Sequence, residues 1–231
     1  MIIYGRNAVH EALRGSRRVR EIWATSHALR EDWLQHSGVP TKVHTTAEIE
    51  RQAGSDGHQG VCADVSEFVY ADAGGLLAQP DAFLIALDQV QDPQNLGSIC
   101  RTAECAGASG VIIPERRAAT VTAAVCKASA GAVEHLPIAQ VRNLADFLAA
   151  AKSGGAWCYG AAASGAMDYR EVDFSGSVVL VMGSEGSGLR PRVADTCDAL
   201  ISLPLRGRIE SLSVANAAAV LLYAAAGSRE H

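Results

Sequence analysis

Short apolar runs alternate along this chain with longer segments that carry an apolar residue every three to four positions. Apolar runs bounded by Gly, Pro or polar clusters read as buried strands, and the longer segments as amphipathic helices. In the first part, Asn7–Arg14 places Ala8, Val9, Ala12 and Leu13 on one face and is predicted helical. Val19–Ala24 reads as a strand, His27–His36 as a helix stopped by Gly38 and Pro40, and Thr41–His44 as a short strand. Ala47–Ala53 is a helix ended by Gly54, and Gly60–Val65 a strand. This mixture predicts a small α/β unit over residues 1–70.

Phe68–Asp81 holds Gly74, Gly75 and Pro80 and no strong period, so a linker is placed within it, at 71–81. The rest, 82–231, alternates more regularly. Phe83–Leu87 is a buried strand. Asp92 as N-cap and Pro93 in the first turn open a helix toward Cys105, which Gly107 and Gly110 end. Val111–Ile113 is a strand, Ala118–Ser129 a helix, and Asn143 caps a helix through Ala151. Strands at Trp157–Ala161 and Val178–Met182, a short helix at Leu189–Thr196, a strand at Ala199–Leu203 and a terminal helix at Val214–Ala226 complete the pattern. Short apolar strands separated by helices predict a mostly parallel sheet with helices on both faces.

At 231 residues and 48% hydrophobic, the chain suits one medium domain, or one small and one medium domain. No segment has the apolar length of a membrane span, and M-I-I-Y-G-R-N-A-V-H lacks the features of a signal peptide, so a cytoplasmic protein is expected. The six cysteines form no C-x-x-C and sit mostly among Ala, Val and Ile, which predicts buried free thiols. The seven histidines include no pair at ligand spacing, so no metal site is expected. A net charge of −5 argues against broad nucleic-acid binding, yet basic residues concentrate locally. Arg14, Arg17, Arg18 and Arg20 form one cluster, Arg116 and Arg117 a second, Arg206 and Arg208 a third. Each alone reads as a solvated loop; together they make a local anion-binding face plausible.

Three segments bring polar residues to strand ends. Leu87–Glu104 contains Asp92, Asn95 and Arg101, with Asn95 near the mouth, Arg101 about two turns inward, and Gly97 open to close backbone approach. The strand Val178–Met182 runs into a loop with Gly183, Ser184, Glu185, Gly186 and Gly188. It is not G-x-G-x-x-G and no Lys follows in a Walker pattern, so backbone groups facing an adenine or ribose fit it better than a phosphate cradle. Arg206–Ala217 gathers Glu210, Ser211, Ser213 and Asn216 before an apolar helix, where Ser211 or Ser213 also serves as a plain helix cap.

These segments, in this order, resemble the SpoU (TrmH) family of RNA ribose 2′-O-methyltransferases, within the SPOUT superfamily. The matching residues run Asp88–Ala103, Leu180–Leu189, Leu203–Leu205 and Ser211–Ala217, nearly the whole of the larger unit. I-Y-G-R-N-A-V-H-E-A-L and H-Q-G-V resemble the small substrate-binding domain of the branch that methylates a guanosine of 23S rRNA.

The resemblance implies a trefoil-knotted α/β domain, S-adenosylmethionine (AdoMet) as cofactor, RNA as substrate, and a homodimer. It implies that Gly183, Leu203 and Leu212, with Met182, Ser184, Gly188 and Ser213 beside them, hold the cofactor, largely through backbone groups. It assigns Asn95, Arg101, Glu185 and Ser211 to the RNA and the reaction, in which a ribose 2′-oxygen attacks a sulfonium methyl. Arginine stays protonated, so Arg101 is expected to polarise the hydroxyl rather than remove its proton outright. One position departs from the pattern: Ser213 stands where the family usually has Asn, and Asn216 offers an amide about one turn later. Rival readings are the same reaction on tRNA and a non-catalytic RNA-binding or ribosome-assembly factor; an oxidoreductase lacks its early Gly-rich turn.

Overall fold

A computed structural model describes residues 1–163, 166–209 and 211–229. The first unit has β1 (Ile2–Tyr4), α1 (Arg6–Arg14), β2 (Val19–Ala24), α2 (Asp32–Gln35), β3 (Thr41–Val43), α3 (Thr46–Ala53) and β4 (Val61–Val65). Its four strands lie in the order β1-β4-β2-β3, with β4 antiparallel to both neighbours and β3 parallel to β2. The predicted helix His27–His36 is broken. A 3₁₀ turn at Ala28–Arg30 and α2 flank an extended Glu31, whose carboxylate pairs with Arg6 at 2.8 Å.

The second unit continues with α4 (Ala73–Leu77), β5 (Phe83–Asp88), α5 (Pro93–Cys105), β6 (Gly110–Pro114), α6 (Ala123–Ala128), β7 (Ile138–Val141), α7 (Leu144–Ser153), β8 (Trp157–Ala161), β9 (Met167–Asp168), β10 (Val178–Gly183), α8 (Pro191–Thr196), β11 (Ala199–Ser202) and α9 (Val214–Arg229). Seven strands form one sheet in the order β7-β6-β5-β10-β8-β11-β9, and each pairing is parallel. β5, β6 and β10 are buried along their whole length, as strands covered on both faces must be. Parallel strands share one direction, so every strand end feeding a loop of the candidate site lies along one edge of the sheet.

Three expectations change. The predicted helix Ala118–Ser129 begins only at α6, capped by Thr122. The preceding N–H groups bond outward instead, from Ala119 to the Val90 carbonyl (2.9 Å) and from Val121 to the Tyr70 hydroxyl (3.0 Å). The segment read as a linker contains α4, capped by Asp72 and burying Leu76, and Ala71 bridges to Ala139 of β7. Strands β1, β7 and β9 were not predicted.

The two units meet across α1, β1, α6 and the turn Ala132–Glu134. Arg17 and Glu134 form an ion pair there, with side chains 6% and 0% exposed. Arg17 Nε donates to Glu134 Oε2 at 2.8 Å, and its guanidinium lies over the Phe68 ring, 5.6 Å from the centroid. The first arginine cluster is therefore largely satisfied within the protein, since Arg14 pairs with Glu11 and Arg20 with Asp64.

All six cysteines are free. Cys62, Cys100, Cys126 and Cys158 are buried, as expected, whereas Cys197 is half-buried and Cys105 exposed. Burial pushes the thiols of Cys100 and Cys158 up to about 12. A thiol reagent at neutral pH is expected to label Cys105 first, read by mass spectrometry of the native protein, because access and thiolate fraction both govern the rate.

Candidate active site at the carboxyl edge of the sheet

β10 ends at Gly183, beside Asp88 at the end of β5. The chain then folds back on itself: Ser184 N–H donates to the Gly188 carbonyl (3.1 Å) and Gly188 N–H to the Ser184 carbonyl (3.0 Å). A Cβ on Gly183 would lie 2.2 Å from the Gly188 carbonyl carbon, so this position admits no side chain. Gly186 and Gly188 have φ of 84° and 66°, in the left-handed region that glycine enters without strain. The Ser184 and Ser187 hydroxyls lie 2.6 Å apart.

Glu185, at the tip, joins three distant parts of the chain. Its Oε1 accepts from Asn95 Nδ2 (3.2 Å), in the first turn of α5, and from the N–H of Val214 (3.3 Å), the first residue of α9. Ser213 adds the adjoining cap, its Oγ accepting from Asn216 N–H at 3.3 Å. A carboxylate at the N-terminus of α9 also meets the positive end of the helix dipole. The first, second and third polar segments thus converge on one side chain.

Arg101 lies two turns along α5 from Asn95, about 9 Å along the axis, and is exposed. Among the described residues no carboxylate pairs with it. Met182 is buried in the core, so only its main chain faces the loop. Leu203 is half-buried and Ser211 exposed, both on the segment between β11 and α9. Glu210 lies outside the described residues. Gly97 does not face this site: a Cβ there would lie 2.4 Å from that of Ala128, so the glycine serves the close approach of α5 to α6.

Two residues were given no role in the sequence, Asp88, which opens the first matching segment, and Arg190. The Asp88 side chain is fully buried and takes three contacts from Arg190, from backbone N (2.8 Å), Nε (2.7 Å) and Nη2 (2.7 Å). A lone carboxylate closing an otherwise apolar strand was the available signal, because a buried charge requires a partner.

Along 203–213 the chain shows exposed apolar side chains beside unengaged backbone. Leu205, Leu212 and Ile209 are 42%, 43% and 77% exposed. The N–H groups of Leu205, Ile209 and Leu212 form no hydrogen bond with another described residue. Apolar walls alternating with free main-chain donors suit an adenosine, and the neighbouring glycine loop leaves open space at Gly186 and Gly188. Among the described residues no group of His, Cys, Asp and Glu is placed to hold a metal ion, and no helix is long and apolar enough to cross a membrane.

The family model for the SpoU rRNA methylase family matches residues 82–223, the whole of this site included. The chain belongs to that family. A second model, for RNA 2′-O ribose methyltransferase substrate binding, matches residues 2–71. The putative TrmH family tRNA/rRNA methyltransferase YacO of Bacillus subtilis strain 168 is 38% identical, over 96% of this chain and 93% of its own length. Among solved structures, the SpoU methyltransferase AviRb of Streptomyces viridochromogenes in complex with AdoMet superposes with a TM-score of 0.82 at 25% identity, over 98% of this chain and 89% of that one. The AdoMet-bound rRNA methyltransferase of Sinorhizobium meliloti gives 0.79 at 30% identity, over 97% and 85%. The chain is therefore an AdoMet-dependent tRNA/rRNA methyltransferase of the SpoU family, with the SPOUT α/β fold and a substrate-binding domain at its N-terminus.

Proposed function

We propose that this SpoU-family enzyme methylates a ribose 2′-hydroxyl of RNA, at a guanosine of 23S rRNA. The observation that carries the reading is the convergence of Asn95, the glycine loop and the start of α9 on Glu185, with Arg101, which pairs with no carboxylate among the described residues, on the same helix as Asn95. The N-terminal match to a 2′-O ribose methyltransferase substrate-binding domain supports ribose as the target, and the likeness to an rRNA methyltransferase over nearly the full chain supports rRNA.

AdoMet supplies an activated methyl group on a sulfonium. The chain holds it between the Gly183–Gly188 loop, with Met182 and Ser184, and the segments around Leu203 and Leu212–Ser213. Arg101, with its fixed charge, polarises the target hydroxyl and the adjoining phosphate, while Asn95 and Glu185 fix the helix from which it projects. Ser211, exposed three residues before α9, contacts the RNA. Ser213 acts as the helix cap at the position where the family usually carries Asn. Orientation of the two reactants supplies most of the rate.

The acidic net charge is reconciled with an RNA substrate by the polarity of the sheet. Exposed Arg116 and Arg117 follow β6, Arg142 follows β7, and Arg206 and Arg208 follow β11, all on the edge that carries the site. Asp81, Asp173 and Asp198 precede strands at the opposite edge. Phosphate attraction is thus local. A homodimer is part of the proposal, supported by Val220 and Tyr223, which α9 leaves 40% and 57% exposed.

The test is transfer of labelled methyl from AdoMet to RNA of a strain lacking the protein, with Arg101→Ala in parallel. Label is expected in 23S rRNA as an alkali-resistant dinucleotide. The variant is expected to lose roughly 10²–10³-fold in kcat, the range for one transition-state donor, and to keep its AdoMet affinity. Label confined to tRNA would transfer the reading to that substrate. AdoMet binding with no transfer to any RNA would make the protein a binding factor.

A further inference from the structure

We infer that Asp88 and Arg190 are positioning residues for AdoMet, setting its affinity by holding the Ser184–Leu189 loop in its binding shape. The inference rests on the placement of the cofactor at that loop. β5 ends in Asp88, whose neighbour in the sheet is Gly183, the last residue before the loop. Arg190 is the first residue after it. Both ends of the loop are therefore fixed to one strand end, Gly183 by the sheet ladder and Arg190 by the Asp88 carboxylate.

The arrangement uses Asp88 completely. Oδ2 accepts from the Arg190 backbone N–H and Oδ1 from the guanidinium, and no other described residue bonds to either oxygen. Such charge-assisted contacts are the strong class of hydrogen bond. The loop they close contains two glycines at positive φ and would otherwise sample many shapes. Its internal restraints are the backbone pair between Ser184 and Gly188 and the hydroxyl contact between Ser184 and Ser187. A ligand that binds main-chain groups gains affinity when those groups are already in place. Arg190 is itself 42% exposed, so its truncation leaves no core cavity, but Arg190→Ala strands the buried Asp88 carboxylate; Arg190→Lys, which keeps a cation there, separates binding from folding.

The experiment is isothermal titration of AdoMet into folded wild type, Arg190→Ala, Arg190→Lys and Asp88→Asn, with hydrogen exchange followed at the Ser184 and Gly188 amides. Arg190→Ala and Asp88→Asn are expected to weaken AdoMet by about 10–100-fold, the loss of one or two charged hydrogen bonds, and to speed exchange at both amides. Arg190→Lys keeps the charge without the fork and falls between. A merely structural pair would lower the melting temperature alone. If Arg190→Ala and Arg190→Lys bind AdoMet within about twofold of wild type, the inference is wrong, whether or not Asp88→Asn folds. Normal binding by the Arg190 variants alongside loss of binding in Gly183→Ala would sink this inference alone; normal binding in Gly183→Ala would sink the placement of the cofactor as well.

Discussion

Replacing Glu134 by alanine is expected to cost about 3–5 kcal/mol of stability, the range for breaking one partner of a buried ion pair. The change strands the Arg17 guanidinium between the two units, where 6% of its side chain meets solvent. Its remaining neighbours are poor substitutes: the Phe68 ring, the Ser66 carbonyl at 3.4 Å and the sulfurs of Met1 and Cys126. Urea denaturation of Glu134→Ala, Arg17→Met and the double variant Arg17→Met with Glu134→Leu separates charge from packing. The double variant is expected to recover most of the loss, because two apolar side chains leave no unpaired charge. A Glu134→Ala protein within about 0.5 kcal/mol of wild type, the scale of an ordinary surface substitution, would show that the pair contributes nothing to holding the units together.

Gly183→Ala is expected to abolish measurable AdoMet binding and to destabilise the fold by at least about 2 kcal/mol, within the range for forcing extra volume into a packed site. The added methyl would meet backbone: the Gly188 carbonyl carbon at 2.2 Å, its oxygen at 2.4 Å and Leu189 N at 2.4 Å. No rotamer relieves these contacts, so the loop must open. Gly186→Ala is the matched control. A Cβ there meets nothing within 4 Å, and the penalty is only the left-handed backbone, at φ 84°, or about 1–2 kcal/mol. Calorimetric titration with AdoMet and thermal melts of both variants test the contrast; equal effects would mean that loop conformation, and not the space beside Gly183, controls the site.

The sequence made the parallel sheet legible because its strands are apolar throughout and separated by helices of distinct period. It also showed the three polar segments and their order. What joins them was not visible, since Glu185 bonds to the Asn95 side chain 90 residues away and to the Val214 main-chain N–H 29 residues away. Gly97 illustrates the converse. A glycine inside a polar helix start reads naturally as a ligand contact, and only the position of Ala128 shows that a helix takes the space. The first arginine cluster misled in a similar way, because its acidic partners Glu134 and Asp64 come from elsewhere in the chain. β9 escaped because two residues show no period, and β7 because Gln140 interrupts its apolar run.

The Glu185 carboxylate has a consequence for synthesis of the chain. Its acceptor oxygen is shared between an amide from residue 95 and a main-chain donor from residue 214. During translation the glycine loop leaves the ribosome well before the start of α9, and in that interval its carboxylate has only one of its two partners. On the proposed placement of AdoMet, the site would be complete only once the chain has emerged past residue 214 and that helix has docked.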